Sequence, residues 1–255
     1  MGAGHAHALY VHEHSPVHRL APEVKLAAVF GFVLAVAVTP REAVWALGLD
    51  AVALAAVIRL ARLPTRFVIA RLAVVLPFIA FAFLIPFIGS GQQVEVLGVH
   101  VSRVGLWGAW NVVAKATLGA TVSIVLAATT EVARIPRGMS RLRLPPTLTT
   151  IAAFMIRYLE LAAGELGRMR TAMTARGYDP RWLWQTRPVA ASAGALFVRS
   201  YERGERVHAA MLSRGYTGTM PTLDERAATP REWLAGAIVP LVAAGAAVVA
   251  LTVAA

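Results

Sequence analysis

Five stretches of this 255-residue chain are apolar almost without interruption, at 24–39, 43–60, 67–88, 105–130 and 233–253. A helix rises 1.5 Å per residue, so about 20 such residues cross the roughly 30 Å hydrocarbon core of a bilayer. The pattern predicts five membrane-spanning helices, the first one short. Breaks fall at Pro40, Pro64 and the Gly-Ser-Gly-Gln-Gln stretch at 89–93. Between 132 and 230 the pattern changes. Apolar residues now recur at helical spacing, as in Leu159, Ala162, Ala163, Leu166 and Met169, among 14 arginines from Arg134 to Arg214. This region predicts about three amphipathic helices rather than further spans, one near 146–176 and another near 190–214. The expected organisation is a polar, His-rich tail at 1–23, spans one to four at 24–131, an amphipathic domain at 132–230 and a last span at 231–255. The fold class is an all-α polytopic membrane protein.

Composition supports that class. Hydrophobic residues make up 57% of the chain and charged residues 15%, against roughly 45–50% and 25% for soluble domains. A net charge of +11 would suggest nucleic acid in a soluble protein, but here the arginines follow the loops. Arg59, Arg62, Arg66 and Arg71 fall around the second loop, and Arg134, Arg137, Arg141 and Arg143 follow span four. Arg41 and Arg103 stand alone in the first and third loops. The positive-inside rule then places the N-terminus, the second loop and the 132–230 domain in the cytoplasm and the C-terminus outside, in the cell membrane. No nucleic-acid partner is expected. The chain has no cysteine, so disulfides, thiolate metal sites and a Cys nucleophile are excluded. The first 20 residues do not read as a signal peptide.

One segment occurs twice. "RMRTAMTARGYDP" at 168–180 returns as "RVHAAMLSRGYTG" at 206–218, which aligns Arg168 with Arg206, Ala172 with Ala210 and Met173 with Met211. Arg176, Gly177 and Tyr178 then align with Arg214, Gly215 and Tyr216. Each copy sits at the C-terminal end of a predicted helix. There Gly takes the left-handed conformation that ends helices, and Arg suits the negative end of the dipole. Capping alone is one explanation. The other is that two exposed helix ends, each offering a cation beside a small residue, dock into two equivalent grooves of a partner.

With Ala175–Arg176–Gly177 and Ser213–Arg214–Gly215 in view, the chain resembles the T component of energy-coupling-factor transporters. That family places four spans before a cytoplasmic coupling domain and one after it. Within it, "SPVHRLAPEVKLAAV" (15–29), "FMIRYLEL" (154–161) and "GALFVRSYERGERVHAAMLSRGY" (194–216) resemble the cobalt-type CbiQ members. The resemblance implies that Ala175, Arg176, Gly177, Ser213, Arg214 and Gly215 couple to two ABC-type ATPase subunits. It also implies a substrate-capture membrane subunit of CbiM type and a small accessory membrane protein of CbiN type. The second motif carries Ser213 where the family has Ala, which is still small. Nickel or vitamin transport, including biotin, and a non-transporting membrane scaffold are the alternative readings.

Other candidates have a structural explanation beside the functional one. His5, His7, His12 and His14 have the imidazole chemistry of divalent cobalt or nickel ligands, yet equally suit a solvated tail. His18, in "HRL", reads as structural at the membrane surface. Asp50 and Lys115 are ionisable residues inside predicted spans, with Asn111 one turn before the lysine. They are expected to pair with one another or, alternatively, to meet the capture subunit or a water-filled path. Glu160, Glu165, Glu202 and Glu205 are expected to pair with neighbouring arginines. The chain carries no phosphate-binding G-x-x-x-x-G-K-[ST] loop and no H-E-x-x-H. It is therefore expected to be non-catalytic and to hold no cofactor, with ATP and magnesium bound by its partners.

Overall fold

The computed structural model describes residues 10–11, 13, 15–88, 93–96, 99–180, 182–218 and 226–254. The candidate histidines His5, His7, His12 and His14 lie outside the described residues. The helices in chain order are α1 (Pro16–Arg19), α2 (Pro22–Val38), α3 (Val44–Leu60), α4 (Thr65–Arg71), α5 (Leu76–Ile88) and α6 (Arg103–Thr129). They continue with α7 (Ile135–Arg141), α8 (Pro146–Ala175), α9 (Arg187–Leu212) and α10 (Pro230–Ala254). The described residues divide into two compact units, one formed by those from 10 to 138 with 226–254 and the other by those from 139 to 218.

Among the described residues three helical segments, all in the first unit, are long and apolar enough to cross a membrane: Thr65–Phe87, Arg103–Thr129 and Pro230–Val253. The first of these joins α4 to α5 through a tight turn of 3-10 helix at Leu72–Val75. The expected spans one and two are α2 and α3, each 17 residues. At about 26 Å they fall a little short of a roughly 30 Å core, a mismatch that a bilayer absorbs by thinning. Between α5 and α6 the pattern predicts only a loop. The structure instead has an antiparallel hairpin, Gln93–Val96 paired with Val99–Ser102, in which Val94 faces Val101 and Glu95 faces His100. Alternating Val at 94, 96, 99 and 101 was the available signal.

In lipid, burying apolar surface gives little drive, so helices associate through close packing and internal hydrogen bonds. The bundle core follows that rule. Phe32, Ala35 and Val36 of α2 meet Leu47 and Leu54 of α3, Leu118 and Val122 of α6, and Ala243 of α10. Ala43 and Ala46 meet Ala246 and Ala250, so that α3 and α10 approach there across small residues. Among the described glycines, Gly105 permits the closest approach to another helix's backbone. A Cβ there would stand 2.7 Å from the Cα of Pro86, the proline inside α5.

The expected Asp50–Lys115 ion pair is not formed. Asp50 is fully buried on α3, and neither carboxylate oxygen has a hydrogen-bond partner among the described residues. Lys115 Nζ donates instead to the carbonyl of Ala37 at 2.8 Å. The physical reason lies in α2, whose last turn leaves carbonyls without intrahelical donors at the negative end of its dipole. A flexible ammonium reaches that site, while Asp50 stays on the buried face of α3 with Leu47 and Leu54.

The family-like segment at 15–29 forms a latch at one end of the same bundle. Ser15 is fully buried and makes a 2.7 Å hydrogen bond with Nδ1 of His18, whose Nε2 lies 3.0 Å from the carbonyl of Val11. A carbonyl only accepts, so these partners assign the hydrogen to Nε2 and let Nδ1 accept from the serine. The neutral ring that results matches its titration. Burial, and then the Lys25 ammonium, hold the His18 imidazole below its usual value. Lys25 Nζ donates to the carbonyls of Thr129 at 2.7 Å and His18 at 3.2 Å, tying the end of α6 to the turn before α2. Buried Glu23 accepts from the amide of Ala228 at 3.1 Å, just before α10. The structural reading of His18 is the one this geometry carries.

Candidate coupling site

The second unit is dominated by α8 and α9, of 30 and 26 residues. The 132–230 region thus holds two long helices and short ones rather than three long ones. Both long helices carry proline in their first turn, Pro146 at the first position of α8 and Pro188 at the second of α9, where the missing amide donor costs nothing.

The repeated segments end these helices in the same way, atom for atom. After α8, the amide of Tyr178 donates to the carbonyl of Met173 at 3.1 Å and that of Gly177 to Thr174 at 3.0 Å. After α9, Tyr216 donates to Met211 at 3.0 Å and Gly215 to Leu212 at 3.0 Å. This paired pattern is the Schellman cap, which requires a left-handed residue directly after the C-cap. Gly177 and Gly215 take that role, with φ of +80° and +81°. The apolar contact usual in the cap joins the residue three before the arginine to the residue after the glycine. Those positions are Met173 and Tyr178 in one copy and Met211 and Tyr216 in the other, all half-buried. The cap therefore explains Met, Gly and Tyr.

It does not explain the arginine. Arg176 and Arg214 are exposed, and no described residue offers either side chain a hydrogen bond or ion pair. Open space surrounds the glycines as well, with nothing within 4 Å of a built Cβ at either one. Ala175 is exposed, and Ser213 is exposed with its hydroxyl donating to the carbonyl of Ala210 at 3.0 Å. Glycine is not obligatory at helix ends in this chain. Arg62 and Arg143 themselves take the left-handed turn after α3 and α7, with φ of 55° and 59°, each followed by Leu-Pro. The repeated Arg-Leu-Pro is the sequence signal these two turns share.

The two helices touch through Glu165 of α8 and Arg203 of α9, whose carboxylate and guanidinium are directly hydrogen-bonded. That arginine holds the Glu165 carboxyl below the usual glutamate range. Glu165 was expected to pair with a neighbour; its partner comes from the other helix. Glu202 makes only a long 3.9 Å contact with Arg206. Further along, the hydroxyl of Ser192 lies 3.5 Å from the sulfur of Met173. As α8 advances from 165 to 173, the touching residue of α9 falls back from 203 to 192, so the helices pass in opposite senses. Arg176 and Arg214 each lie eleven residues beyond the crossing pair. The two cationic ends therefore project away from a common crossing on arms of about 16 Å each.

Among the described residues no group of three His, Cys, Asp or Glu side chains is placed to hold a metal ion.

Comparison with known proteins bears on this geometry. The family model described as "Cobalt transport protein" CbiQ matches residues 13–223. The cobalt transport protein CbiQ of Rhodobacter capsulatus is 31% identical over 172 residues, covering 67% of this chain and 68% of that one. The energy-coupling factor transporter transmembrane protein EcfT of Bacillus subtilis is 27% identical over 228 residues, covering 82% and 83%. A putative fused cobalt transport protein CbiMQ of Methanocorpusculum labreanum is 27% identical over 100 residues, covering 39% of this chain and 17% of that longer one. The matched span includes the latch at 15–29 and both capped arginines.

Proposed function

The chain belongs to the CbiQ family, as a T component of energy-coupling-factor transporters, and we propose that it couples ATP hydrolysis by two partner ATPases to uptake of cobalt. The observation that carries this reading is the pair of like caps, each presenting a side chain that the cap itself does not use. A guanidinium offers a planar fork of donors suited to carboxylate and carbonyl groups. Two such forks on opposite arms suit a motor made of two like subunits, each taking one helix end into a groove. When the two grooves move relative to one another, the arms turn about the Glu165–Arg203 contact, and that turn is what the membrane helices receive.

The cargo in this proposal is captured by a separate membrane subunit, to which the fused CbiMQ relative gives support. The chain supplies neither the ATP site nor the metal site. The N-terminus, the loop after α3 and the α8–α9 unit face the cytoplasm, on the strength of the arginine distribution. The test is uptake of radioactive cobalt into cells that carry this chain with the two ATPases and the capture subunit. Uptake that needs ATP and this chain is expected. Normal uptake without the chain, or without ATP, contradicts the proposal.

A further inference from the structure

At one edge of the bundle, where α3 and α6 begin, the surface opens into a crevice of about 420 Å³ lined by Val44, Arg103, Leu106, Trp107 and Trp110. That volume lies in the range of small-molecule sites, about 300–1,000 Å³. Its wall is apolar throughout except for one cation at the end. Arg103 is exposed, and no described residue pairs with it. Arg41, just before α3, differs: its Nε lies 2.7 Å from the Glu42 carboxylate.

We propose that this crevice is a phospholipid site, with the lipid phosphate on the Arg103 guanidinium and one acyl chain laid along Leu106, Trp107, Trp110 and Val44. Three arguments lead there. The first is depth. The 27 residues of α6 extend about 40 Å, so its first turns rise beyond a roughly 30 Å hydrocarbon core to the level of the headgroups. Tryptophan is at home at that level, where its ring is buried in lipid and its N–H stays wet. Trp45, in the first turn of α3, adds a third indole at the same end and is half exposed. The second is charge. An unpaired guanidinium at headgroup depth takes a phosphate through two parallel hydrogen bonds. The third is shape. A single cation at the head of an otherwise apolar trough matches an amphiphile with one anionic head. A helix from a neighbouring subunit brings apolar side chains to that depth and leaves Arg103 without an anion.

The test uses the full-length chain purified in detergent, with phosphatidylglycerol brominated on its acyl chains as the probe. Bromine quenches nearby tryptophan, and native mass spectrometry counts the lipids retained. The wild-type chain is expected to retain one lipid and to show saturable quenching. Arg103→Gln should weaken saturation about tenfold, Arg103→Lys should restore most of it, and Arg41→Gln should leave it unchanged. Leu106→Trp should fill the trough and block the lipid while leaving Arg103 in place. Saturation that is the same in wild type, Arg103→Gln and Leu106→Trp overturns the proposal. So does a cysteine at 106 that cross-links in high yield to a neighbouring membrane subunit of the assembled transporter, because the crevice would then be a protein interface.

Discussion

Glu165 and Arg203, joined by a hydrogen bond between their charged groups, are 38 residues apart, the same offset that separates Arg176 from Arg214. This ion pair between α8 and α9 therefore links equivalent positions of the internal repeat. Each helix carries its cationic end the same distance past the crossing. Had the contact formed at 165 and 199, one arm would be longer than the other by a helical turn.

That symmetry is measurable. With no native cysteine in the chain, spin labels at 176 and 214 report the separation of the arms. A single distance of at most about 33 Å plus the label length is expected. Arg203→Ala should broaden it, and the exchanged pair Glu165→Arg with Arg203→Glu should narrow it again. An unchanged distribution in Arg203→Ala would mean that the crossing is held by other contacts.

The His18 latch predicts a pH dependence. The folded imidazole titrates below its usual value of about 6.5, so the unfolded segment binds protons first as pH falls. More protons in the unfolded state means stability rises with pH. The latch is therefore at full strength above about pH 6.5 and weakens below it, levelling off once the folded ring is also protonated. The protection of the Val11 amide, which donates to Ala128 at 3.0 Å, should fall in that window once exchange is divided by its intrinsic rate at each pH. His18→Gln should flatten the profile. Equal protection factors at pH 7.5 and pH 5.5 in the wild type contradict this account.

The separate environments of Asp50 and Lys115 predict an asymmetric pair of variants. Lys115→Met removes a charged donor from the Ala37 carbonyl and should cost about 1 kcal/mol, less than a fully buried case because the lysine is partly exposed. Asp50→Asn leaves no partner orphaned and should be nearly neutral. The double variant should then equal the sum of the two in thermal unfolding in detergent. Strong non-additivity would restore the ion pair.

The sequence was most legible where one physical rule dominated. Uninterrupted apolar runs disclosed the spans, and Gly177 and Gly215 disclosed helix ends, because only a few residues tolerate a left-handed turn cheaply. Arg62 and Arg143 broke that rule and went unseen as caps. Asp50 and Lys115 were paired on the assumption that buried charges seek each other. The unsatisfied carbonyl at the end of α2 competed for the lysine, and nothing in a one-dimensional pattern displays a helix terminus as an acceptor. The crossing of α8 and α9 was implicit in the 38-residue offset, but which equivalent positions touch depends on how the helices pack.

The central claim is that the capped arginines serve docking and not capping. Arg176 and Arg214 should be changed to Glu together and the chain used to pull down the two ATPases from co-expressing cells. A charged hydrogen bond removed from a desolvated interface costs about 2–5 kcal/mol, so each single Arg→Ala should weaken capture roughly thirty-fold or more. The double Arg→Glu variant should insert in the membrane at wild-type levels, since both side chains are exposed beyond the helix ends, and should recover no ATPase. Wild-type recovery of the ATPases by that variant would mean that the two segments only end their helices, and would contradict the account.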